Sequence, residues 1–273
     1  MAEAGKVVVV TGASSGIGHA CALHLASRGW RVFGTQRRPP SDGAAPAGVS
    51  MVAMDVDDDR SVADGIRAVH GRAGRIDAVV NNAGNAWMGS VEDTSIAEAR
   101  AQLETNFFGV LRVCQAVLPI MRAQGAGHIV NVSSLAGVLG LPFSGLYSAS
   151  KFALEGMSES LRHEARPFGV HVVLVEPGDF ATGLPTARRL TAAAERNDTY
   201  RAAFAKFKVQ QDKDEAGAST PEPVAALVAA ILASPRPQLR YTVGQLGQRI
   251  VVPLKRYLPQ RLFEFVLVRA LGL

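Results

Sequence analysis

Short apolar runs alternate with longer stretches of helical periodicity along most of the chain. The apolar runs are rich in β-branched residues and predict seven strands, at 6–10, 31–35, 50–54, 77–80, 128–132, 171–175 and 240–243. Continuous apolar runs of this length are typical of parallel strands that are covered on both faces. Helical periodicity fills the intervals, at 17–28, 57–74, 97–124, from 147 onwards and at 221–233. The alternation predicts an α/β fold, a doubly wound, seven-stranded parallel sheet with helices on both faces.

The length of 273 residues suits one domain, and we expect residues 1–273 to form a single dinucleotide-binding and catalytic unit. Residues 183–220 carry two short helical patterns. Because a structureless loop of this length is unusual in a compact domain, we expect a helical lid over the substrate there. The next helix is expected to be capped by Thr220, with Pro221 at its first position.

Residues 245–273 form a C-terminal tail in which apolar and basic residues are mixed. Pro253 and Pro259 are expected to interrupt any long amphipathic helix in this tail. We expect the tail to pack on its own domain or on a second subunit. Peripheral contact with a membrane surface is the alternative that the pattern leaves open.

Composition and charge restrict the class of protein without identifying it. The net charge of +5 and the pI near 9.5 suit an anionic ligand, but no basic stripe with interleaved aromatic residues predicts nucleic-acid binding. Cys21 and Cys114 lie in helical patterns without metal or disulfide spacing, which indicates buried free thiols and no metal site. A strand follows closely after Met1 and leaves no room for a signal peptide, so we expect a cytoplasmic protein.

A glycine-rich turn joins the first predicted strand to the first helix. It reads TGASSGIG over residues 11–18, with glycines spaced G-x-x-x-G-x-G. A tight turn of small residues lets the backbone approach a pyrophosphate, and the following helix N-terminus favours its negative charge. The turn therefore predicts a dinucleotide site of the Rossmann type, formed by Gly12, Ser14, Ser15, Gly16, Ile17 and Gly18.

Three polar residues surround the end of the strand predicted at 128–132. Tyr147 and Lys151 are four residues apart, so on a helix their side chains lie on one face, one turn apart. An ammonium in that position favours the phenolate and is expected to lower the pKa of Tyr147 from its usual value of about 10. Ser134 follows the strand, and its hydroxyl can hold a carbonyl or alcohol oxygen while the tyrosine gives or takes the proton.

Five motifs stand in a characteristic order along the chain. The glycine-rich turn matches T-G-x-x-x-G-x-G, residues 81–84 read NNAG, the strand before Ser134 ends in Asn-Val-Ser-Ser, Y-x-x-x-K follows, and P-G-x-x-x-T stands at 177–182. Together they resemble the short-chain dehydrogenase/reductase family, over about residues 5–245. The segment 141–156 is similar to steroid- and retinol-type dehydrogenases.

The resemblance implies a role for each matching residue. Tyr147 would be the general acid-base, Ser134 would orient the substrate oxygen, and Lys151 would also hold the nicotinamide ribose. Asn106 would kink its helix and hold a proton-relay water. Further cofactor contacts are implied for Asp55 at the adenine amino group, for Thr182 at the nicotinamide carboxamide, and for Val56, Asn82, Ala83, Gly84, Tyr147, Lys151, Pro177 and Gly178. Substrate contacts are expected from Ser134, Phe143, Tyr147 and Leu184.

The residues after the second predicted strand bear on the choice of cofactor. An NAD site usually places an acidic residue there, where it bonds the ribose 2′-hydroxyl. Here Arg37 and Arg38 follow the strand, and the first acid after them is Asp42. A guanidinium can grip a 2′-phosphate with charge-assisted hydrogen bonds. We therefore expect NADP, with Arg37 the main contact and Arg38 the lesser, and NAD as the alternative.

These residues predict an NADP(H)-dependent oxidoreductase that interconverts a carbonyl and a secondary or primary alcohol on a small apolar substrate. A 3-oxoacyl-carrier or CoA reductase is the alternative within the enzyme class, since a basic chain suits an acidic carrier. A non-catalytic dinucleotide-sensing protein is the alternative outside that class, because a fold does not fix a function. Family analogy adds a homo-oligomer, either a dimer or a tetramer.

Overall fold

A computed structural model of the protein describes residues 5–38, 46–181, 188–271 and 273. The strands within these ranges are β1 (Val7–Thr11), β2 (Arg31–Gln36), β3 (Val49–Ala53), β4 (Ala78–Asn81), β5 (Ala86–Met88), β6 (Gly127–Val132), β7 (Val170–Pro177), β8 (Arg188–Leu190) and β9 (Arg240–Val243). Seven of them form one parallel sheet in the order β3-β2-β1-β4-β6-β7-β9. The predicted doubly wound parallel sheet is confirmed, and each predicted strand overlaps an observed one.

The helices within the described ranges are α1 (Gly16–Ser27), α2 (Asp59–Ala73), α3 (Ile96–Leu103), α4 (Gly109–Gln124), α5 (Gly145–Ala165), α6 (Asp198–Ala216), α7 (Glu222–Ala233), α8 (Leu246–Tyr257) and α9 (Gln260–Ala270). The stretch predicted as one helix at 97–124 contains α3 and α4, which are joined by a π-helical turn at Glu104–Phe108. Such turns shift the side chains that follow them and are frequent at functional sites.

Two apolar layers cover the faces of the sheet. The helices α2, α4 and α5 contribute to the layer on one face, and α1 and α7 to the layer on the other. In the run from Val7 to Val10, alternate side chains enter opposite layers. Successive residues of a strand point to opposite faces, so an uninterrupted valine run is fully buried only between two such layers. Cys21 and Cys114 are buried free thiols in these layers, as expected.

Two expectations for the segment before α7 are wrong. Residues 188–216 hold a short strand and one helix of 19 residues, α6, rather than two short helices. Only a narrow aromatic side of α6 is buried and the rest of the helix is polar. The apolar periodicity is therefore interrupted along the sequence and resembles two short helices. α7 begins at Glu222 with Pro221 as its N-cap residue, so Thr220 lies before the cap, and no side chain caps the helix.

The expectation for Pro253 is also wrong. This proline lies inside α8, which continues to Tyr257. A proline removes one intrahelical hydrogen bond and bends a helix, but flanking turns can maintain the helix on either side. Pro259 does separate α8 from α9, as expected.

The helix α6 is fastened to the domain by an aromatic cluster. Phe204 and Phe207 are buried, and the ring centroid of Phe143 lies 5.4 and 5.5 Å from theirs, with Tyr200 at 6.4 Å. β5 and β8 pair in a small two-stranded sheet that adds Met88 to the same cluster. Because Phe143 stands just before α5, these contacts hold α6 over the segment that leads into that helix.

Replacement of Phe207 by alanine should loosen α6 without unfolding the sheet. Removal of a buried phenylalanine typically costs about 3–5 kcal/mol, and the cluster joins α6 to the domain. Hydrogen exchange should therefore accelerate in 188–216 and remain unchanged in β1 and β6. Val209→Ala, at an exposed position of the same helix, is the matched control. Equal exchange in α6 of the wild type and Phe207→Ala would contradict docking through the cluster. If the predicted lid at 183–220 closes over the substrate, cofactor and substrate should slow exchange in this segment.

Candidate active site

The predicted site residues gather at one edge of the large sheet. β1, β4, β6 and β7 are neighbours and run in the same direction, so their carboxyl ends lie side by side. The glycine-rich turn follows β1, the NNAG segment begins at the end of β4, and Ser134 and Gly178 follow β6 and β7. Doubly wound sheets bind their ligands outside this edge.

The glycine-rich turn is held against the NNAG segment by Thr11 and Asn82. Thr11 Oγ1 accepts hydrogen bonds from the amides of Asn82 and Ala83 at 2.9 and 3.0 Å. The Asn82 side chain donates to the carbonyls of Thr11 and Gly12 at 3.1 and 3.3 Å. Gly12 has a φ of +65°, and a Cβ on Gly18 would lie 2.3 Å from the Gly12 carbonyl oxygen. A side chain at either position would displace the backbone of the turn.

The N-terminus of α1 opens onto this turn. Ser15 is its N-cap residue, and within the described residues the Ser15 hydroxyl makes no capping hydrogen bond. The first amides of a helix have no intrahelical acceptor, and they carry a partial positive charge. Together with the close backbone turn they form a cradle that fits the pyrophosphate of a dinucleotide. The predicted contacts that lie here are Ser14, Ser15, Gly16, Ile17 and Gly18.

The three predicted catalytic groups are adjacent. The Ser134 hydroxyl lies near enough to Tyr147 to lower the pKa of the phenol, and Ser134 Oγ accepts the amide of Ala136 at 3.1 Å. Tyr147 and Lys151 lie one turn apart on α5, with the Lys151 Nζ 5.9 Å from the centre of the tyrosine ring. Lys151 Nζ donates to the carbonyl of Val132, the last residue of β6, at 2.9 Å. One helix and one strand end therefore hold all three groups.

Burial dominates the pKa values of this group. It lowers the pKa of Lys151 to about 8, against the opposing charge of Glu155. It also raises the pKa of Tyr147, although the hydrogen bond from Ser134 acts in the opposite direction. The net shift of the Tyr147 pKa is thus opposite to the one expected from the sequence, because removal from water, aided by the charge of Asp179, outweighs the effects of Ser134 and Arg188.

Asn106 lies in the π-helical turn and is fully buried. Its Oδ1 accepts the amide of Asn85 at 2.9 Å, and its Nδ2 donates to the carbonyl of Asn85 and to Ser150 Oγ at 2.9 and 3.1 Å. Ser150 Oγ donates in turn to the carbonyl of Tyr147 at 2.7 Å. A Cβ on Gly84 would lie 3.1 Å from Asn106 Oδ1, so the glycine permits this approach. Asn106 therefore joins the end of β4 to the catalytic turn of α5, and its relay role stays a prediction.

Asn85 and Gln102 complete this polar layer, and the motifs do not mark either of them. Gln102 is fully buried on α3. Its Nε2 donates to the Asn85 carbonyl and Oδ1 at 2.9 and 2.8 Å, and its Oε1 accepts the amide of Trp87 at 2.8 Å. The local pattern gives no signal for Gln102, because its helical neighbours Glu98, Thr105 and Asn106 are polar. Its role follows from the backbone groups that the buried amide satisfies.

The predicted adenosine contacts also lie at this edge. Asp55 comes two residues after β3, and its Oδ1 accepts the amide of Asp57 at 3.2 Å. Val56 is buried, and a Cβ on Gly109 would lie 3.0 Å from its side chain. Arg37 and Arg38 follow β2 and are exposed, as a contact with a bound phosphate would require. Asp42 lies outside the described residues.

The loop after β7 is covered by a residue that sequence reasoning missed. A Cβ on Gly178 would lie 2.1 Å from Oε1 of Gln248 on α8. Gln248 Oε1 accepts the amide of Asp179 at 3.2 Å, and its Nε2 donates to Asp179 Oδ2 at 2.8 Å. Pro177 ends β7 as part of this loop. The predicted contacts Thr182 and Leu184 lie outside the described residues.

Phe143, the other predicted substrate contact, has a φ of +55°. A non-glycine residue in this left-handed region is strained and often marks a functional position. Its ring packs against α6, so it forms part of the wall between the catalytic turn and that helix.

Known proteins share both this sequence and this fold. The family model of the short chain dehydrogenases matches residues 6–193. The chain is 38% identical over 262 residues to a 3-ketodihydrosphingosine reductase of Bacteroides thetaiotaomicron, which covers 96% of each chain. It is 34% identical to retinol dehydrogenase 8 of Bos taurus, over 88% of this chain and 82% of the relative.

Solved structures agree with these matches. A short chain dehydrogenase/reductase from Burkholderia phymatum in complex with NAD is 30% identical, with a TM-score of 0.78 and coverage of 94% of each chain. A metagenomic short-chain oxidoreductase in complex with NADP is 29% identical, with a TM-score of 0.69 and coverage of 89% of this chain and 98% of its own. These relatives bind a nicotinamide dinucleotide, and they differ in which one.

The low pKa of Lys151 leads to a prediction about stability. The folded state binds a proton at this residue with a pKa of about 8, against about 10.5 in the unfolded chain. Burial of the ammonium therefore costs free energy in full below pH 8, and the cost is relieved as the pH rises toward 10.5. At pH 7, Lys151→Met should therefore have a higher free energy of unfolding than the wild type. The gain is up to roughly 3 kcal/mol, reduced by the loss of the hydrogen bond to Val132. This advantage should shrink by pH 9.5.

Urea titrations at pH 7 and 9.5 measure the difference, with Lys206→Met on the exposed side of α6 as the matched control. A difference that is the same at both pH values would show that Lys151 does not change its protonation in this range.

Proposed function

Because the chain belongs to the short-chain dehydrogenase family, we propose that it is an NADP(H)-dependent oxidoreductase that interconverts a carbonyl and an alcohol on an apolar substrate. The observation that carries the proposal is the proximity of the Ser134 hydroxyl to Tyr147, with Lys151 one turn away at the same edge of the sheet. Such an arrangement suits transfer of a proton to or from the substrate oxygen while a hydride moves to or from the carbon bonded to it.

Each residue has one task in the proposed reaction. Ser134 donates a hydrogen bond to the substrate oxygen and fixes its position. Tyr147 gives its proton to that oxygen during reduction and takes it back during oxidation. Lys151, as an ammonium, favours the phenolate that remains after the proton has left. Asn106 keeps the tyrosine turn in register through Ser150. The nicotinamide supplies or accepts the hydride when it is bound.

The proposed cofactor contacts follow the described edge. The turn at 12–18 and the N-terminus of α1 would hold the pyrophosphate, and Asn82, Ala83 and Gly84 would line the path beside it. Asp55 would receive the adenine amino group. Lys151 would bond the nicotinamide ribose. All of these groups face the same edge of the sheet, which supports one continuous dinucleotide site.

The apolar character of the substrate is supported by the walls of the site and by the relatives. Leu139 is buried in the segment between Ser134 and α5, and the aromatic cluster formed by Phe143 and the phenylalanines of α6 lies next to α5. One relative is named as a reductase of 3-ketodihydrosphingosine and another as a dehydrogenase of retinol. We therefore propose a ketone or alcohol attached to a long apolar group as the substrate class.

Removal of the Tyr147 hydroxyl should abolish most of the activity. Tyr147→Phe keeps the ring and the fold, so cofactor affinity should remain, while kcat falls by about 10²–10⁴ with the loss of the positioned acid-base. Fluorescence titration with the cofactor and steady-state oxidation of NADPH measure the two quantities. Tyr241→Phe removes a hydroxyl that bonds the amide of Gln238 and is the matched control. Near-normal turnover by Tyr147→Phe would remove this residue from its proposed role.

A substrate panel distinguishes the proposal from its alternatives. Ketones with alkyl chains of increasing length should show a rising kcat/KM, by about fourfold for each buried methylene. Preference for 3-oxoacyl thioesters on a carrier would favour the 3-oxoacyl reductase. Cofactor binding without turnover of any carbonyl or alcohol would favour the non-catalytic dinucleotide sensor.

Arg37 should determine the choice between NADPH and NADH. Its guanidinium would bond the 2′-phosphate, and charge-assisted hydrogen bonds of this kind are worth roughly 1.5–3 kcal/mol, or about 10- to 150-fold. The ratio of kcat/KM for NADPH to that for NADH should exceed unity in the wild type and fall by this factor in Arg37→Ala. Arg38→Ala should lower it less, and Arg236→Ala, at the opposite edge of the sheet, should leave it unchanged. A wild-type preference for NADH would overturn the assignment.

A further inference from the structure

The helix α8 carries its apolar side outward. Leu246, Ile250 and Tyr257 are 71%, 44% and 77% exposed, and Pro253 between them is also exposed. These positions are spaced by three or four residues, so they form one stripe along the helix. A surface helix ordinarily turns such a stripe toward the core. Here Gln248 and Lys255 face the loops of the site, no residue of α8 is fully buried, and the apolar stripe is exposed.

The helix α9, which follows α8, also exposes apolar side chains. Leu262, Phe265, Val266 and Val268 are exposed, and Phe265 is exposed over 63% of its area. Phe263 alone among the large side chains of this helix is buried. We call the exposed apolar residues of the two helices the tail face, which consists of Leu246, Ile250, Pro253, Tyr257, Leu262, Phe265, Val266 and Val268. A concentration of exposed apolar side chains on two successive helices indicates contact with a membrane or a partner.

Basic residues border the tail face. Residues 245–273 contain five basic side chains and one acidic one, whereas the whole chain has a net charge of +5. Most of the net charge is therefore concentrated in this short segment. Arg249 and Arg256 lie one turn from the apolar stripe of α8, and Arg261 and Arg269 are exposed on α9. An apolar surface bordered by arginines is complementary to the headgroups and acyl chains of an anionic bilayer.

The positive charge of this segment also argues against a second copy of the chain as the partner that covers the tail face. A two-fold interface places the same surface of both subunits in contact. Two tail faces would bring their arginines together, with Glu264 the one acidic side chain in each segment. Desolvated like charges are unfavourable, whereas anionic lipids neutralise the same arginines.

The inner side of α8 is bonded to the catalytic loops. Lys255 Nζ donates to the carbonyl of Val138 at 2.5 Å and lies 5.2 Å from the ring centre of Phe152 on α5. Gln248, two turns earlier, bonds Asp179 in the loop after β7. Val138 is four residues from Ser134, so the tail face lies about one helix diameter, roughly 10 Å, from the loops of the site.

We infer that the tail face docks on the surface of an anionic lipid bilayer and brings the mouth of the site to the membrane interface. None of the helices that the structure describes is long and apolar enough to span a bilayer, so the contact is interfacial. Docking does not depend on the proposed reaction, because it uses residues outside the catalytic group.

Vesicle flotation with the full chain tests the inference. Binding to phosphatidylcholine vesicles that contain 30% phosphatidylglycerol, roughly the anionic fraction of a strongly charged leaflet, should exceed binding to pure phosphatidylcholine and should weaken at high salt. The double variant Arg249→Gln and Arg256→Gln should bind about 30-fold more weakly, since each basic residue near such a surface contributes about fivefold. Ile250→Ser and Phe265→Ser should also weaken binding, whereas Ile96→Ser, at an even more exposed isoleucine of α3, should not.

Circular dichroism and turnover of a water-soluble ketone check that each variant is folded. A tryptophan placed by Tyr257→Trp should be quenched by brominated lipid in the anionic vesicles, which reports contact of the tail face itself. Binding that is equal on neutral and anionic vesicles, or that is unaffected by the tail variants, overturns the inference. So does an absence of vesicle binding combined with a dimer that Ile250→Ser dissociates, which would identify the tail face as a subunit interface.

Discussion

The site depends on the buried hydrogen bond between Lys151 and the carbonyl of Val132. β6 ends at Val132, so this bond joins α5 to the last residue of a central strand. Burial of an ammonium costs free energy, and the lowered pKa of Lys151 reflects that cost. Glu155, one turn further along α5, is also buried and pairs with Arg240 at the start of β9. The catalytic turn is therefore fixed by charges that connect it to the middle and to the edge of the sheet.

Neighbouring polar bonds make the same turn rigid from the other side. Asn106 bridges the end of β4 to Ser150, and Ser150 bonds the Tyr147 carbonyl. A buried amide that loses one hydrogen-bond partner costs free energy, so the hydrogen bonds of this network are expected to form or break together. In the proposed reaction Tyr147 exchanges a proton with the substrate oxygen, which would need such fixed geometry, because a displacement of about 1 Å at the reacting atoms can cost about 100-fold in rate.

The sheet and its functional edge follow from local patterns in the sequence, whereas several contacts of the site do not. Buried parallel strands appear in the sequence as continuous apolar runs, and amphipathic helices as apolar residues that recur every three or four positions. The carboxyl ends of neighbouring parallel strands must also lie together. Gln248 reaches Asp179 across 69 residues, and no period along the chain marks such a pair. The π-helical turn keeps the apolar spacing of a helix, so residues 97–124 read as one element. The pKa of Tyr147 depends on its burial, which composition and spacing do not measure.

The two sides of α8 connect the site to the surroundings of the protein. Its inner side contributes Gln248 and Lys255 to the loops after β7 and β6, and its outer side is the apolar stripe. On the proposed docking, the residues that meet the bilayer are one helix away from the loops proposed to hold the substrate oxygen. An apolar molecule dissolved in the bilayer would then pass to the site without full exposure to water, which costs about 0.8 kcal/mol for each methylene. The same helix would thus orient the catalytic loops and shorten the route of the substrate.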